Sequence, residues 1–479
     1  MANITIDGKQ LAVKDGITII EAIDQAAKTD IPRYCYHPGL SIAGNCRICQ
    51  VEVEKMPRTV IACNTRVAEG MVIHTQSAKA KESQQVVLEF LLANHPLDCP
   101  VCDQAGECKL QDYYMDYGLY DPRFNDEKVK KTKKAKPVGP TIMLDQERCI
   151  LCTRCVRFGD EITKTNDFGV FNRGDHTELD IYPGRELNNK YSGNVADICP
   201  VGALTDRDFR FKMRVWYLGS TDSICPGCSR GCNIFIDYEK TRPYHSKSER
   251  VQRLKPRENQ DVNKWWMCDE GRYGYKFIDA NRITTIRPDW KTVIEITAST
   301  LKKADPNRWA VLASPQYSNE DLEAVKKLFV ERLKWKNAAY FAPGQEGYED
   351  DFLMKKDKNP NTAGAANLFP QADITPLVEK AKRGELDGLF IFGHDLAKIY
   401  GAETLKTLRQ KVKTLIYEGW TQNSTAEASD TVLPSAVYAE KNGSFTNFEG
   451  RVQKFKKALE PLGDSKPTLE ILQNLEAWL

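Results

Sequence analysis

Cys149-Ile150-Leu151-Cys152-Thr153-Arg154-Cys155, with the later Cys199-Pro200, is the stretch on which the reading of this chain turns. Three thiols at intervals of three residues do not easily share one tetrahedral zinc with a remote fourth ligand, but they can cap three irons of a cubane. Only one such triplet occurs, so Cys199 most simply completes its own [4Fe–4S] set, with zinc as the alternative. Outward from this run, all 15 cysteines of the 479 residues lie between Cys35 and Cys268. They fall into four sets: Cys35, Cys46, Cys49 and Cys63; Cys99, Cys102 and Cys108; Cys149, Cys152, Cys155 and Cys199; Cys225, Cys228, Cys232 and Cys268. The second set is one ligand short, and His95 stands four residues before Cys99. Imidazole can replace thiolate on a cluster iron, so His95 completes that set. The competing reading is a packing or surface histidine.

The first set sits in a β-rich opening. Ile4–Ile6 and Gln10–Val13 are short alternating stretches joined by Asp7-Gly8, a hairpin signal, and Thr18 to Ala27 reads as a helix with Ile19, Ala22, Ile23 and Ala26 on one face. A hairpin followed by a helix opens a β-grasp fold. The spacing Cys35-x10-Cys46-x2-Cys49-x13-Cys63 contains a single C-x2-C knuckle where a four-thiolate zinc site usually has two, which favours [2Fe–2S]. Gly39 and Gly44 in the first loop let the backbone wrap closely around the sulfurs. Ser77 to Asn94 then reads as a helix, with Val86, Val87, Phe90 and Leu91 as its packed face, ended by His95-Pro96. Between Lys128 and Lys136 there are six lysines in nine residues, read as a solvated linker, with a basic patch for a partner as the other possibility. The fourth set, between strand-like Ile224 and Asn233–Asp237, suits a third cubane, again with zinc as the alternative.

From Trp309 the texture changes. Trp309–Ala313 reads as a buried strand, and Ser318 with Asp321 caps a helix from Asn319 to Leu333 whose Leu322, Val325, Leu328 and Phe329 face inward. Leu386–Phe392 is a second buried strand, and Thr404–Val412 a helix before Leu415–Tyr417. This alternation implies a parallel α/β sheet. It carries neither a G-x-G-x-x-G nor a G-x4-G-K-[ST] phosphate motif, and the Gly443–Gly450 loop reads as structural. Composition excludes several functions: 68 basic against 66 acidic residues give a net charge of +2, which is no nucleic-acid binder's surplus. No apolar run of a membrane span and no secretory leader is visible, so a reducing cytoplasm is expected.

The order of the four sets, the position of His95, and the strings Cys199-Pro200-Val201-Gly202-Ala203-Leu204 and Cys268-Asp269-Glu270-Gly271-Arg272 resemble one family. It is the large iron–sulfur subunit, of the 75 kDa type, of bacterial NADH:quinone oxidoreductase, respiratory complex I. The resemblance is most specific through residues 1–275, and the Cys149 triplet with its Cys-Pro partner is similar to bacterial ferredoxins. The string Asn442 to Gln453 is similar to the molybdopterin-oxidoreductase portion of the family, here short. No cysteine follows Cys268, which excludes a thiolate ligand to molybdenum but not a serine or carboxylate one; no molybdopterin is expected.

The resemblance implies an α+β multidomain chain: a β-grasp [2Fe–2S] ferredoxin-like domain over 1–76, a one-His, three-Cys [4Fe–4S] helical domain over 77–125 and a ferredoxin-like [4Fe–4S] domain over 126–215. A molybdopterin-oxidoreductase-type 4Fe–4S domain over 216–284 and a truncated α/β molybdopterin-oxidoreductase-like domain over 285–479 follow. It implies one [2Fe–2S] and three [4Fe–4S] clusters, iron being held by the sixteen residues above, with no catalytic residue and no hydride or quinone site of the chain's own. Electrons from an FMN/NADH-binding subunit would pass the Cys35, Cys149 and His95/Cys99 sites in that order toward quinone. The Cys225 site would lie off the route. Partners would be that subunit and other hydrophilic-arm subunits of a proton-translocating enzyme, with no nucleic acid and with membrane contact only through the complex, on the cytoplasmic face of the cell membrane. The alternatives are the iron–sulfur subunit of a soluble NAD-linked hydrogenase or formate dehydrogenase, and a zinc-stabilised scaffold.

Overall fold

The computed structural model describes residues 1–26, 30–121, 123–131, 133–241, 249–370 and 372–479; Ala27, the expected end of the first helix, lies outside them. The chain divides into two units, Met1–Trp216 and Tyr217–Leu479.

In the first unit β1 (Ala2–Ile6) and β2 (Lys9–Val13) form the Asp7-Gly8 hairpin, and α1 (Ile19–Ala26) follows. With β3 (Gln50–Val53), β4 (Val60–Ile61) and β5 (Val72–His74) the sheet order is β2-β1-β5-β3-β4, and β1 runs parallel to β5. Ile19 and Ala22 are fully buried against this sheet and Ile23 almost so. Each large aliphatic side chain buried in this way contributes about 1.5–3 kcal/mol.

Helix α2 (Ala78–Asn94) is capped by Ser77, whose side chain accepts from the Ala80 N–H. Its packed face is the expected one only in part: Val87 and Leu91 pack against the core. Ala80, Gln84 and Leu88 are buried, whereas Phe90 is 76% exposed. The 80-84-88 stripe wins because Gln84 donates to the Gln50 carbonyl of β3 at 3.0 Å, a polar anchor that apolar periodicity does not reveal. After α3 (Lys109–Tyr117) come β6 (Ala135–Pro137), β7 (Ile142–Asp145), α4 (Arg154–Arg157), β8 (Phe168–Phe171), β9 (Glu178–Ile181), α5 (Asn194–Ile198) and β10 (Leu204–Asp206). The lysine run is no free linker. Lys128 donates to the Leu92 and Ala93 carbonyls at the end of α2, Lys131 to the Asp175 and Thr177 carbonyls, and Lys134 and Lys136 pair with Asp98, Glu147 and Asp180.

In the second unit β11 (Leu218–Ile224), β12 (Asn233–Glu239) and β13 (Val251–Pro256) make an antiparallel sheet, followed by α6 (Asp269–Tyr273) and α7 (Trp290–Lys302). The expected parallel sheet then forms. Strands β14 (Trp309–Ala313), β15 (Asn337–Tyr340), β16 (Gly388–Phe392), β17 (Thr414–Gly419) and β18 (Thr431–Pro434) lie in the order β15-β14-β16-β17-β18, all parallel. Apolar cores cover both faces, one around Phe329, Phe390 and Phe392 and the other around Leu389, Ile391 and Tyr417. Helix α8 (Asn319–Val325) starts in the expected capping box of Ser318 and Asp321. It widens into a π-helical stretch over Lys326–Arg332, yet Leu322, Val325, Leu328 and Phe329 all stay buried. The Asn442–Gln453 string holds a hairpin of β19 (Gly443–Thr446) and β20 (Val452–Phe455).

Candidate metal centres

All 15 cysteines are free thiols; the third and fourth sets each line one cavity, whereas in the second His95 and Cys99 line a cleft that Cys102 and Cys108 do not. Among the described residues no three His, Cys, Asp or Glu groups converge tightly enough for a single metal ion; the third and fourth sets surround cavities instead.

Cys35, Cys46, Cys49 and Cys63 come from the loop after α1, the turn into β3 and the end of β4. Cys35, Cys49 and Cys63 are each 1% exposed, and the Cys35 N–H points at Cys46 Sγ at 3.5 Å. Gly44, at φ +63°, provides the left-handed turn inside the loop. Hydrogen bonds from Cys46 and Cys63 hold Cys35 well below ordinary thiol values, a bond from Cys63 lowers Cys49, and Cys46 and Cys63 are pushed up in exchange.

In the second set His95 is the first residue beyond α2, and Cys108 is the residue before α3. Burial first, then the Arg148 and Lys128 charges, lower the imidazole to about 4, so at pH 7 His95 is neutral and has a lone pair to offer. His95 and exposed Cys99 share a cleft of about 1050 Å³ with Leu92, Tyr114 and Phe124. Cys102 and Cys108 turn toward the Cys199–Gly202 loop: Cys108 Sγ is 3.9 Å from the Pro200 carbonyl, and a Cβ on Gly202 would come within 2.3 Å of Cys102 Sγ. Only a glycine lets that backbone lie so close to the sulfur.

The Cys149–Cys155 loop winds through left-handed Leu151 (φ 52°) and Thr153 (φ 59°), which aims the Leu151 N–H at Cys149 Sγ at 3.4 Å. Its three thiols and Cys199, just past α5, line one small cavity. Burial pushes all four up, Cys152 to about 11. The fourth set occupies the β11–β12 hairpin, closed by the Cys225 N–H on the Cys232 carbonyl at 2.8 Å, with Cys268 opening α6. Cys225, Cys228, Cys232 and Cys268 line a small cavity with Gly271, Met267, Tyr348 and Leu353, and burial again raises the pKa values of the four thiols, Cys268 to about 11.

These surroundings fit iron–sulfur clusters. Buried thiols resist ionisation until a metal stabilises the thiolate, and cluster sulfurs then need N–H donors. Among the described residues, buried Arg154 Nε and Arg148 Nη1 have no acceptor, and the charges of these arginines act on the Cys152, Cys199 and Cys35 thiols and on Cys102 respectively. Residue types and spacing did not disclose these arginines. Arg157 Nη2 donates to the Cys35 carbonyl at 2.6 Å and to the Cys152 carbonyl at 3.2 Å, and Asn45 donates to the Leu151 carbonyl at 3.0 Å. Arg154 joins the Tyr36 and Ile198 carbonyls, and the Lys109 N–H joins the Pro200 carbonyl at 3.0 Å. The first, third and second sites are thus laced together in that order.

A pterin is not fitted in the same way. In such sheets ligands bind where the strand order reverses, here between the carboxyl ends of β14 and β16. His394 Nε2 bridges that crevice to the Ala313 carbonyl at 2.8 Å, and Tyr317, fully buried against Gly393, reaches the Glu418 carboxylate at 2.6 Å. Both bonds run between the chain's own groups at this crevice.

Five family models match: a 2Fe–2S iron–sulfur cluster binding domain over 1–78, the NADH-ubiquinone oxidoreductase-G iron–sulfur binding region over 84–123 and the ferredoxin-like domain of NADH-quinone oxidoreductase subunit 3 over 139–205. The molybdopterin oxidoreductase Fe4S4 domain matches over 219–280 and molybdopterin oxidoreductase over 292–477. The NADH-quinone oxidoreductase G-type subunit of Rickettsia felis is 30% identical, the match covering 100% of this chain and 88% of that protein. The alignment runs over 599 positions, so the relative carries segments with no counterpart here. The mitochondrial NADH-ubiquinone oxidoreductase 78 kDa subunit of Candida albicans is 30% identical over 99% of this chain and 82% of its own. The NADH-ubiquinone oxidoreductase 75 kDa subunit of Reclinomonas americana is 44% identical over 59% of this chain and 39% of its own. Among solved structures, a chain of an NAD+-reducing [NiFe]-hydrogenase matches 45% of this chain and 91% of its own at 27% identity and a TM-score of 0.41.

Proposed function

This chain belongs to the family of the G-type (75 kDa) iron–sulfur subunits of NADH-quinone oxidoreductase, and from that premise we propose that it is the electron-relay subunit of the peripheral arm of complex I, working between an FMN/NADH-binding subunit and quinone. The enzyme is an oxidoreductase, and this chain is one of its subunits. The iron–sulfur clusters, when bound, supply one-electron transfer; the chain's part is to hold them, exclude water and set their spacing. Cys35, Cys46, Cys49 and Cys63 would hold a [2Fe–2S] cluster. His95 with Cys99, Cys102 and Cys108, then Cys149, Cys152, Cys155 and Cys199, then Cys225, Cys228, Cys232 and Cys268, would each hold a [4Fe–4S] cluster. The corresponding domains are 1–76, 77–125, 126–215, 216–284 and 285–479, and no molybdopterin is assigned. No helix among the described residues is long and apolar enough to cross a membrane; we place the chain as a peripheral subunit on the cytoplasmic face.

The observation that carries this reading is continuity. Arg157 ties the Cys35 loop to the Cys152 loop, and the loop that begins at Cys199 lies against Cys102 and Cys108. The test is iron, acid-labile sulfide and zinc per chain after anaerobic purification. About 14 iron with equal sulfide is expected; stoichiometric zinc without sulfide overturns the relay.

A further inference from the structure

Two loops of the second unit reach the Cys225–Cys268 site. The segment Gly344–Lys358, between β15 and the helix Thr362–Leu368, folds back on itself, with the Gln345 N–H on the Lys356 carbonyl at 2.9 Å and Asp350 Oδ1 accepting from the N–H groups of Phe352, Leu353 and Met354. It is bound to the cysteine hairpin at several points. The Ser229 N–H donates to the Asp357 carbonyl at 2.9 Å, Arg230 donates to the Phe352 and Leu353 carbonyls, and Lys358 pairs with Glu270. From the β19–β20 loop, Phe448 lies between the Arg230 guanidinium and the Lys355 ammonium, 4.8 and 4.6 Å from its ring centre, and its N–H donates to the Ser229 carbonyl. Gln453 Nε2 donates to the Gly231 carbonyl at 3.0 Å.

One side chain of the segment reaches a sulfur. Tyr348 is 6% exposed, and its hydroxyl is 4.0 Å from Cys268 Sγ, which also faces the Gly271 N–H at 3.4 Å. Lys358 Nζ stands 3.3 Å from the centre of the Tyr348 ring. A cation on that face draws electron density from the phenol and makes its O–H a stronger donor.

We propose that Tyr348 is a positioning residue that tunes the fourth cluster by donating its hydroxyl to Cys268 Sγ, and that the Gly344–Lys358 segment serves as the roof holding it there. This rests on reading the fourth set as a cluster site. A donor on a ligand sulfur stabilises the more negative, reduced state and raises the midpoint potential. The α/β unit is on this account a cluster housing in place of a substrate domain.

The test is EPR-monitored redox titration of the full chain in its purified complex, the fourth signal being identified as the one lost in Cys268→Ala. Tyr348→Phe is expected to keep about 14 iron per chain and to lower the midpoint of that signal alone; Lys358→Gln is expected to move it in the same direction by less. An unchanged midpoint in Tyr348→Phe overturns the proposal. If Tyr348→Phe fails to hold the cluster, 3,5-difluorotyrosine at position 348, nearly the same size but a stronger donor, decides. An upward shift supports the donor role, and no shift overturns it. A wild-type chain with about 10 iron and no fourth signal overturns the cluster reading itself and the proposal with it.

Discussion

Gly202→Ala tests the continuity of the sites with a single methyl group. A Cβ at this position would sit 2.3 Å from Cys102 Sγ and 3.1 Å from the Cβ of Gln104, while ordinary contact begins at 3.4 Å. The sulfur or the loop must therefore give way by about 1 Å. The loop is held on both sides, by the Lys109 N–H on the Pro200 carbonyl at 3.0 Å and by the Asp145 N–H on the Ala203 carbonyl at 2.7 Å, before β10 pairs with β7. Cys102 is the part that moves. As overpacking, the change costs about 1–3 kcal/mol, which a chain of this size survives. Ligand distances tolerate only about 0.2 Å, so ligation does not survive. The expected result is a folded chain whose iron falls from about 14 to about 10, with the second-site EPR signal missing and reduction by NADH stopping at the Cys149 site. Full iron, an unchanged spectrum and an unchanged rate would refute the argument.

Three further outcomes follow from particular side chains. His95→Cys replaces a neutral ligand with a thiolate, so the second cluster should become one unit more negative and its midpoint, read by redox titration, should fall while iron stays complete. Phe329→Ala removes a fully buried ring 4.8 Å from Phe390 and 4.9 Å from Trp335 and should destabilise the second unit by about 3–5 kcal/mol in urea unfolding. Glu418 is raised by burial from its ordinary 4.5 to about 7. The folded state therefore keeps its proton longer than the unfolded one. That stability is fully present below about pH 4.5 and is lost as pH rises through about 7, amounting to about 3 kcal/mol by pH 8. Glu418→Gln should flatten the pH dependence of the urea midpoint over this range, and an identical slope in both proteins would count against it.

Features written in local chemistry were legible in the sequence. The Asp7-Gly8 hairpin, the Ser318–Asp321 capping box and the all-apolar Trp309–Ala313 strand follow from turn geometry, capping and burial over a few residues. The short runs Cys149–Cys155 and Cys225–Cys232 were readable from their spacing, while Cys199 and Cys268, which line the same cavities, stand far along the chain. Tertiary exchange decided what was not readable. Phe90 points outward because Gln84 is anchored on β3, and the Lys128–Lys136 run looks solvated until the carbonyls that receive it are folded beside it. Arg157 and Tyr348 carry no motif, and their partners lie 122 and 80 residues away.

Tyr34, Cys35, Ile48, Leu88, Cys108, Tyr113, Cys152 and Val201 form one apolar core, to which three of the four cysteine sets contribute. Sequence boundaries can be drawn through this part of the chain, but among the described residues each of them cuts across this core. A fragment ending near residue 76 would leave Tyr34 and Ile48 facing water, and one beginning at 126 would strip Val201 of its neighbours. A change at one site therefore alters a wall that its neighbours share. A foreign ferredoxin spliced in for any one of the three would arrive without its share of the core.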